Sequence, residues 1–129
     1  MSAVRLMFVL PAILIVGACS SSAWNQDRPS QATDAHRQAL ESLKEAYRAG
    51  QYGDVIRASA RSDTLATAPD DIKVEALKLE AFSYCVTDHR ALCEARFARI
   101  LTLQPDFALT TAEQGHPQWQ PAFDAAKQR

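Results

Sequence analysis

Glycine is scarce in this chain: four residues in 129. A phosphate-cradling loop needs several glycines close together, so that chemistry has no place to sit. Charge of either sign is not in excess. The formal net charge is −1, which leaves no electrostatic footprint for nucleic acid or for an anionic bilayer surface. Histidine occurs only at 36, 89 and 116, too scattered for metal-ligand spacing. Cysteine occurs only at 19, 85 and 93, without a C-x-x-C pair. No Ser-His-Asp order or other catalytic motif stands out, and the carboxylates are spread over positions that read as solvated helix faces. The reading is therefore of a protein that is not an enzyme, with no catalytic residues and no metal.

Long apolar runs are also missing, apart from one at the start. Leu6 to Val16 is apolar throughout, interrupted only by Pro11, and follows Arg5 and the amino terminus. Eleven residues are too few to cross roughly 30 Å of hydrocarbon, which takes about 20. A charged start, a short apolar middle and small residues at the end make the pattern of a secretory signal. It closes on Val16-Gly17-Ala18-Cys19, with three serines behind. These four residues resemble the lipobox of bacterial lipoproteins. That resemblance implies cleavage before Cys19, diacylglycerol on its thiol and an N-acyl chain on its new amino group. No other cofactor is expected. Each buried methylene adds about 0.8 kcal/mol, and two or more chains hold a protein in the membrane. Ser20 stands where an inner-membrane retention signal would carry aspartate. The implied destination is the inner leaflet of the outer membrane, facing the periplasm.

The expected organisation is a lipoprotein signal over 1–18, a lipidated tether over 19–32 and a helical domain over 33–129. The mature part carries thirteen basic and fifteen acidic side chains. Its first stretch, SSSAWNQDRPSQA, has no hydrophobic period and reads as a flexible linker. Trp24 is its one large apolar residue, suited either to the lipid headgroup level or to docking on the domain.

Beyond the tether the period is helical and no alternating run of strand length competes, so the fold class is all-α. Ala39, Leu40, Leu43, Ala46 and Tyr47 mark a first helix, ended by Gly50. Asp54 is placed to cap a second, with Val55, Ile56 and Ala60 inward. After the break Thr67–Asp71, Asp70 or Asp71 is placed to cap a third, which shows Val74, Leu77, Ala81, Tyr84 and Cys85 on one face. A turn at Thr87–His89 leads to a fourth with Leu92, Cys93, Phe97, Ile100 and Leu101 inward, stopped by Pro105. A last helix starts at Pro117 or Pro121 and packs Trp119 and Phe123, four apart, into the core.

Ala81, Tyr84, Cys93, Phe97 and Pro105 fall where the 34-residue tetratricopeptide repeat places a small residue, an aromatic, a small residue, a large aromatic and a proline. The second helix pair resembles such a repeat, with Asp88 and Arg90 in place of the usual turn glycine and tyrosine. The first pair is a poorer copy. Gly50, Tyr52 and Val55 match its turn, but Ser59 stands where the large aromatic belongs. Two TPR-like pairs leave the end of the stack bare, so the last helix is expected to cap it.

Cys85 and Cys93 remain after lipidation. In an oxidising compartment an even pair reads as a disulfide, with two buried thiols or a redox site as the alternatives. Ser83-Tyr-Cys-Val86, Cys93, Pro105-Asp-Phe107 and Gly115-His-Pro-x-Trp119-x-Pro121 are similar to TssQ-type lipoproteins that accompany type VI secretion. The resemblance implies an accessory protein-binding adaptor whose partner is an envelope or secretion-system protein. A pilotin that escorts a secretin, or a thiol-redox or metal-dependent envelope enzyme, are the competing readings. If the first helix of each pair lines a partner groove, Lys44, Tyr47, Arg48, Lys78 and Phe82 are the contact candidates.

Overall fold

A computed structural model describes residues 31–129, and every described element is helical. The signal segment, Cys19 and Trp24 lie outside the described residues. No described helix is long and apolar enough to cross a membrane.

Helix α1 (Asp34–Arg48) begins on Thr33. The Thr33 hydroxyl accepts from the His36 amide at 3.3 Å, while His36 Nδ1 accepts from the Thr33 amide at 3.2 Å. Two free amides are thus satisfied reciprocally, with histidine in the role usually held by Glu or Gln. Leu40 and Leu43 are its buried residues. The helix stops at Gly50, whose φ of +72° is costly for a residue with a side chain. The Gly50 amide donates to Tyr47 O and the Gln51 amide to Ala46 O, which together close the helix end.

Helix α2 (Tyr52–Arg61) follows at once. Asp54 does not cap it. The cap is Gln51, without a side-chain bond, and Asp54 sits inside the first turn paired with Arg57. Val55 is fully buried, Ile56 is half-buried and Ala60 is exposed. The inner line runs Val55, Ser59, Ser62, and Ala60 lies about 100° round from Ser59. A short helix, α3 (Asp63–Ala66), is capped by the Ser62 hydroxyl and drives Leu65 into the core.

Helix α4 (Asp70–Val86) starts from Pro69, so neither Asp70 nor Asp71 caps it. Both occupy the first turn, where carboxylates favour the helix dipole. The helix is buried on more than the one expected face. Val74, Ala81 and Cys85 turn toward the second half of the chain, and Ile72, Ala76 and Leu79 toward the first. Its C-terminus repeats the earlier device. Asp88 adopts φ +63°, its amide donates to Cys85 O, and the His89 amide donates to Tyr84 O. The two turns are built alike at Gly50 and Asp88, 38 positions apart.

Helix α5 (Arg90–Leu103) buries Cys93, Phe97 and Ile100. Leu92 is 42% exposed rather than inward, because the buried line is 93, 97, 100 and Leu92 lies a third of a turn away. The helix ends two residues before Pro105. Helix α6 (Gln120–Ala126) carries Pro121 in its first turn, so that proline and not Pro117 marks its start. Trp119 and Phe123 are buried as expected. Two apolar clusters result. One joins α1 to α4 through Leu40, Leu43, Val55, Leu65, Ile72 and Leu79. The other joins α4, α5 and α6 through Ala81, Phe82, Phe97, Ile100, Trp119 and Phe123.

Candidate functional site: the cleft between the helix pairs

The two cysteines meet where α4 hands over to α5. The sulfurs of Cys85 and Cys93 are at disulfide distance, 2.10 Å, with Cα atoms 5.3 Å apart. Cys85 is 6% exposed and Cys93 fully buried, so the pair ties the turn from inside the core.

The five contact candidates do not form one exposed face. Phe82 is buried against Tyr47, Phe97 and Trp119, and its expected place on a groove wall is covered by the C-terminal segment. Lys78 is also inside. Its Nζ lies 3.0 Å from Glu113 and 3.2 Å from Glu75. Burial alone would lower the Lys78 pKa, but the two carboxylates outweigh it and hold the ammonium above its ordinary value. Burial likewise opposes the charge on Glu113. The Thr110 amide and Lys78 prevail, and the Glu113 pKa falls below the usual range. Tyr47 is half-buried on the ring of Tyr52, and burial, with Tyr52 and Glu113 nearby, raises its phenol pKa. Lys44 pairs with Glu41 at 2.6 Å, and Arg48 is exposed.

A second buried charge lies on the opposite side of α4. Glu80 is 3% exposed. One of its oxygens accepts from Arg96 Nε at 2.7 Å and the other from the Ser59 hydroxyl at 3.0 Å. Helices α2, α4 and α5 are thus joined through one carboxylate. Above it opens a cleft of about 360 Å3, walled by Leu65, Ala76, Leu77 and Leu103. Arg61, Lys73, Arg99 and Asp63 stand around it. Ser59 and Ser62 lie on its α2 side.

No protein-family model, curated protein or solved structure matches the chain.

The histidines remain apart. His36 serves the α1 cap and His89 bonds the Thr87 hydroxyl at 3.1 Å. His116 stacks on Trp119 at 3.5 Å between ring centres. Among the described residues no three His, Cys, Asp or Glu side chains converge as metal ligands would. Sequence reasoning missed Glu80, Arg96, Arg61 and Arg99. The one available signal was Ser59, a small polar residue where the repeat pattern calls for a large aromatic.

Proposed function

We propose that this chain is a lipid-anchored adaptor that binds a protein partner at the periplasmic face of the outer membrane. The all-helical architecture is the frame, and two TPR-like pairs capped by α6 are the finer reading of it. Support for that reading comes from the two equivalent turns at Gly50 and Asp88 and from the burial of Val55 and Cys93 at equivalent places. The observation that carries the binding role is the cleft between the pairs. It has apolar walls, a buried carboxylate already matched by Arg96, and a rim of cationic side chains. Such a surface suits a protein ligand better than a reaction, since helix stacks expose extended concave faces for partners. The lipobox-like ending at Cys19 supplies the anchor, and the TssQ-like residues suggest a place beside a type VI secretion apparatus.

Affinity capture from solubilised envelopes tests this, using the full chain and a Cys19→Ser control. Recovery of secretion-apparatus components, weaker with the control, is the expected result. Recovery of secretin subunits instead would turn the reading into a pilotin. No specific partner from either preparation would overturn the adaptor role.

A further inference from the structure

The cleft has an internal yardstick. In the second half of the chain Phe97 and Ile100 are fully buried, and Phe97 packs on Phe82 and Phe123 with ring centres 6.0 and 5.2 Å away. They seal α5 against α4 and α6. Moving back by the 38 positions that separate the two turns puts Cys93 on Val55, and both are fully buried. The same shift puts Phe97 on Ser59 and Ile100 on Ser62. Both serines line the cleft. Two large apolar groups are therefore replaced by two hydroxymethyl groups, and the space is not reclaimed. The short helix α3 brings Leu65 to one wall, and the Glu80 carboxylate takes part of the floor, yet about 360 Å3 stays open.

The charges around the opening are unequal. Glu80 is matched by Arg96 and contributes no free charge. Arg61 and Arg99 make no ion pair among the described residues, and Lys73 reaches Asp70 only at 3.7 Å. Asp63 is the remaining carboxylate at the rim. Even with Lys73 set against Asp70, Arg61 and Arg99 face Asp63 alone around an apolar recess. Complementary charge steers encounter and fixes register, while a large side chain filling a desolvated pocket supplies most of the affinity.

We infer that the cleft receives an acidic segment of the partner protein carrying a large apolar side chain. That side chain fills the space left by Ser59 and Ser62, and its flanking carboxylates pair with Arg61, Lys73 and Arg99. The inference rests on the adaptor reading and adds the chemistry of the partner.

The test uses the full chain in detergent micelles. The probe is a labelled synthetic peptide with one phenylalanine between two aspartates on each side, followed by fluorescence anisotropy. Binding should weaken at least about ten-fold in the Arg61→Glu, Arg99→Glu double variant and in Ser59→Phe. A lysine-flanked peptide should bind at least about ten-fold more weakly than the acidic one. The inference fails if the acidic peptide binds the double variant as well as the parent, if the lysine peptide matches it, or if nothing binds at about millimolar concentration. Arg61 and Arg99 are exposed, so the double variant reports even if Ser59→Phe misfolds. Peptide binding that appears only after Trp24→Ala would mean that the chain's own N-terminal segment fills the cleft, and the partner assignment falls. The envelope capture separates the two levels. A double variant that still captures the same partner sinks the cleft and leaves the adaptor, whereas a parent chain that captures nothing sinks both.

Discussion

The indole of Trp119 lies on the ring of Phe82, with centres 4.2 Å apart and planes 26° from parallel. His116 also stacks on that indole, and the indole N–H donates to Glu113 O at 2.9 Å. A residue from the C-terminal segment therefore covers the C-terminal half of α4 and closes the larger apolar cluster. Trp119→Ala should cost about 3–5 kcal/mol, the range for emptying a buried aromatic site. His116→Ala should cost about 1 kcal/mol, since it removes one stacking contact. Urea unfolding followed by circular dichroism gives both, and a Trp119→Ala loss under about 1 kcal/mol would show that the C-terminal segment is only loosely attached.

The Cys85–Cys93 bond closes a short loop, with a sequence separation of 8. Chain-entropy reasoning puts its contribution at about 2–3 kcal/mol. Cys85→Ala with Cys93→Ala should lower the urea midpoint accordingly and remove its response to reductant. Peptide and partner binding should persist in that double variant. Loss of binding with an unchanged midpoint would favour a redox role for the pair.

Arg96 has about a third of its side chain exposed, whereas the Glu80 side chain is 4% exposed. Removing the arginine strands a carboxylate inside the protein. Arg96→Met should therefore cost about 2–3 kcal/mol, below the 3–5 of a fully buried pair because water reaches the arginine side. Glu80→Leu combined with Arg96→Met should restore most of that loss. If the single and double variants are equally destabilised, the ion pair is not what the arginine contributes.

Glu113 and Lys78 make opposite contributions across pH. The Glu113 pKa is depressed in the folded state, so its stabilisation is complete above its ordinary value of about 4.3 and disappears as pH falls through the lower folded value. The Lys78 pKa is raised, so its share is complete below about 10.4 and disappears only as pH climbs through the higher folded value. Glu113→Gln should flatten the decline in melting temperature below about pH 4.3. An unaltered acid limb would count against the pairing.

Much of the helical frame could be read from backbone punctuation. Gly50, the Thr87–His89 turn and Pro105 end helices because φ, hydrogen bonding or ring geometry leaves the chain little choice. What escaped the sequence is non-local. Helix α3 is four residues long, shorter than any period that could reveal it. Lys78 reads as a groove contact and Glu80 as solvated because nothing nearby in sequence announces Glu113 or Arg96 as partners. Phe82 was expected at a groove because only the folded chain brings Trp119 over it. The cleft was half legible: Ser59 marked the missing aromatic, but the cations around the gap come from three separate helices.

The division of the interior into two clusters bears on the order in which a growing chain acquires its structure. Every buried residue of the first cluster lies between Leu40 and Leu79, so that half can close early. The second needs Leu109, Trp119, Phe123 and Ala126. Until Trp119 and Phe123 have docked, Phe82 and Phe97 are covered on one side only, by Tyr47 and by each other, and an apolar surface stays open. A chain cut short of Trp119 would therefore keep a closed first half and a second half open to proteases.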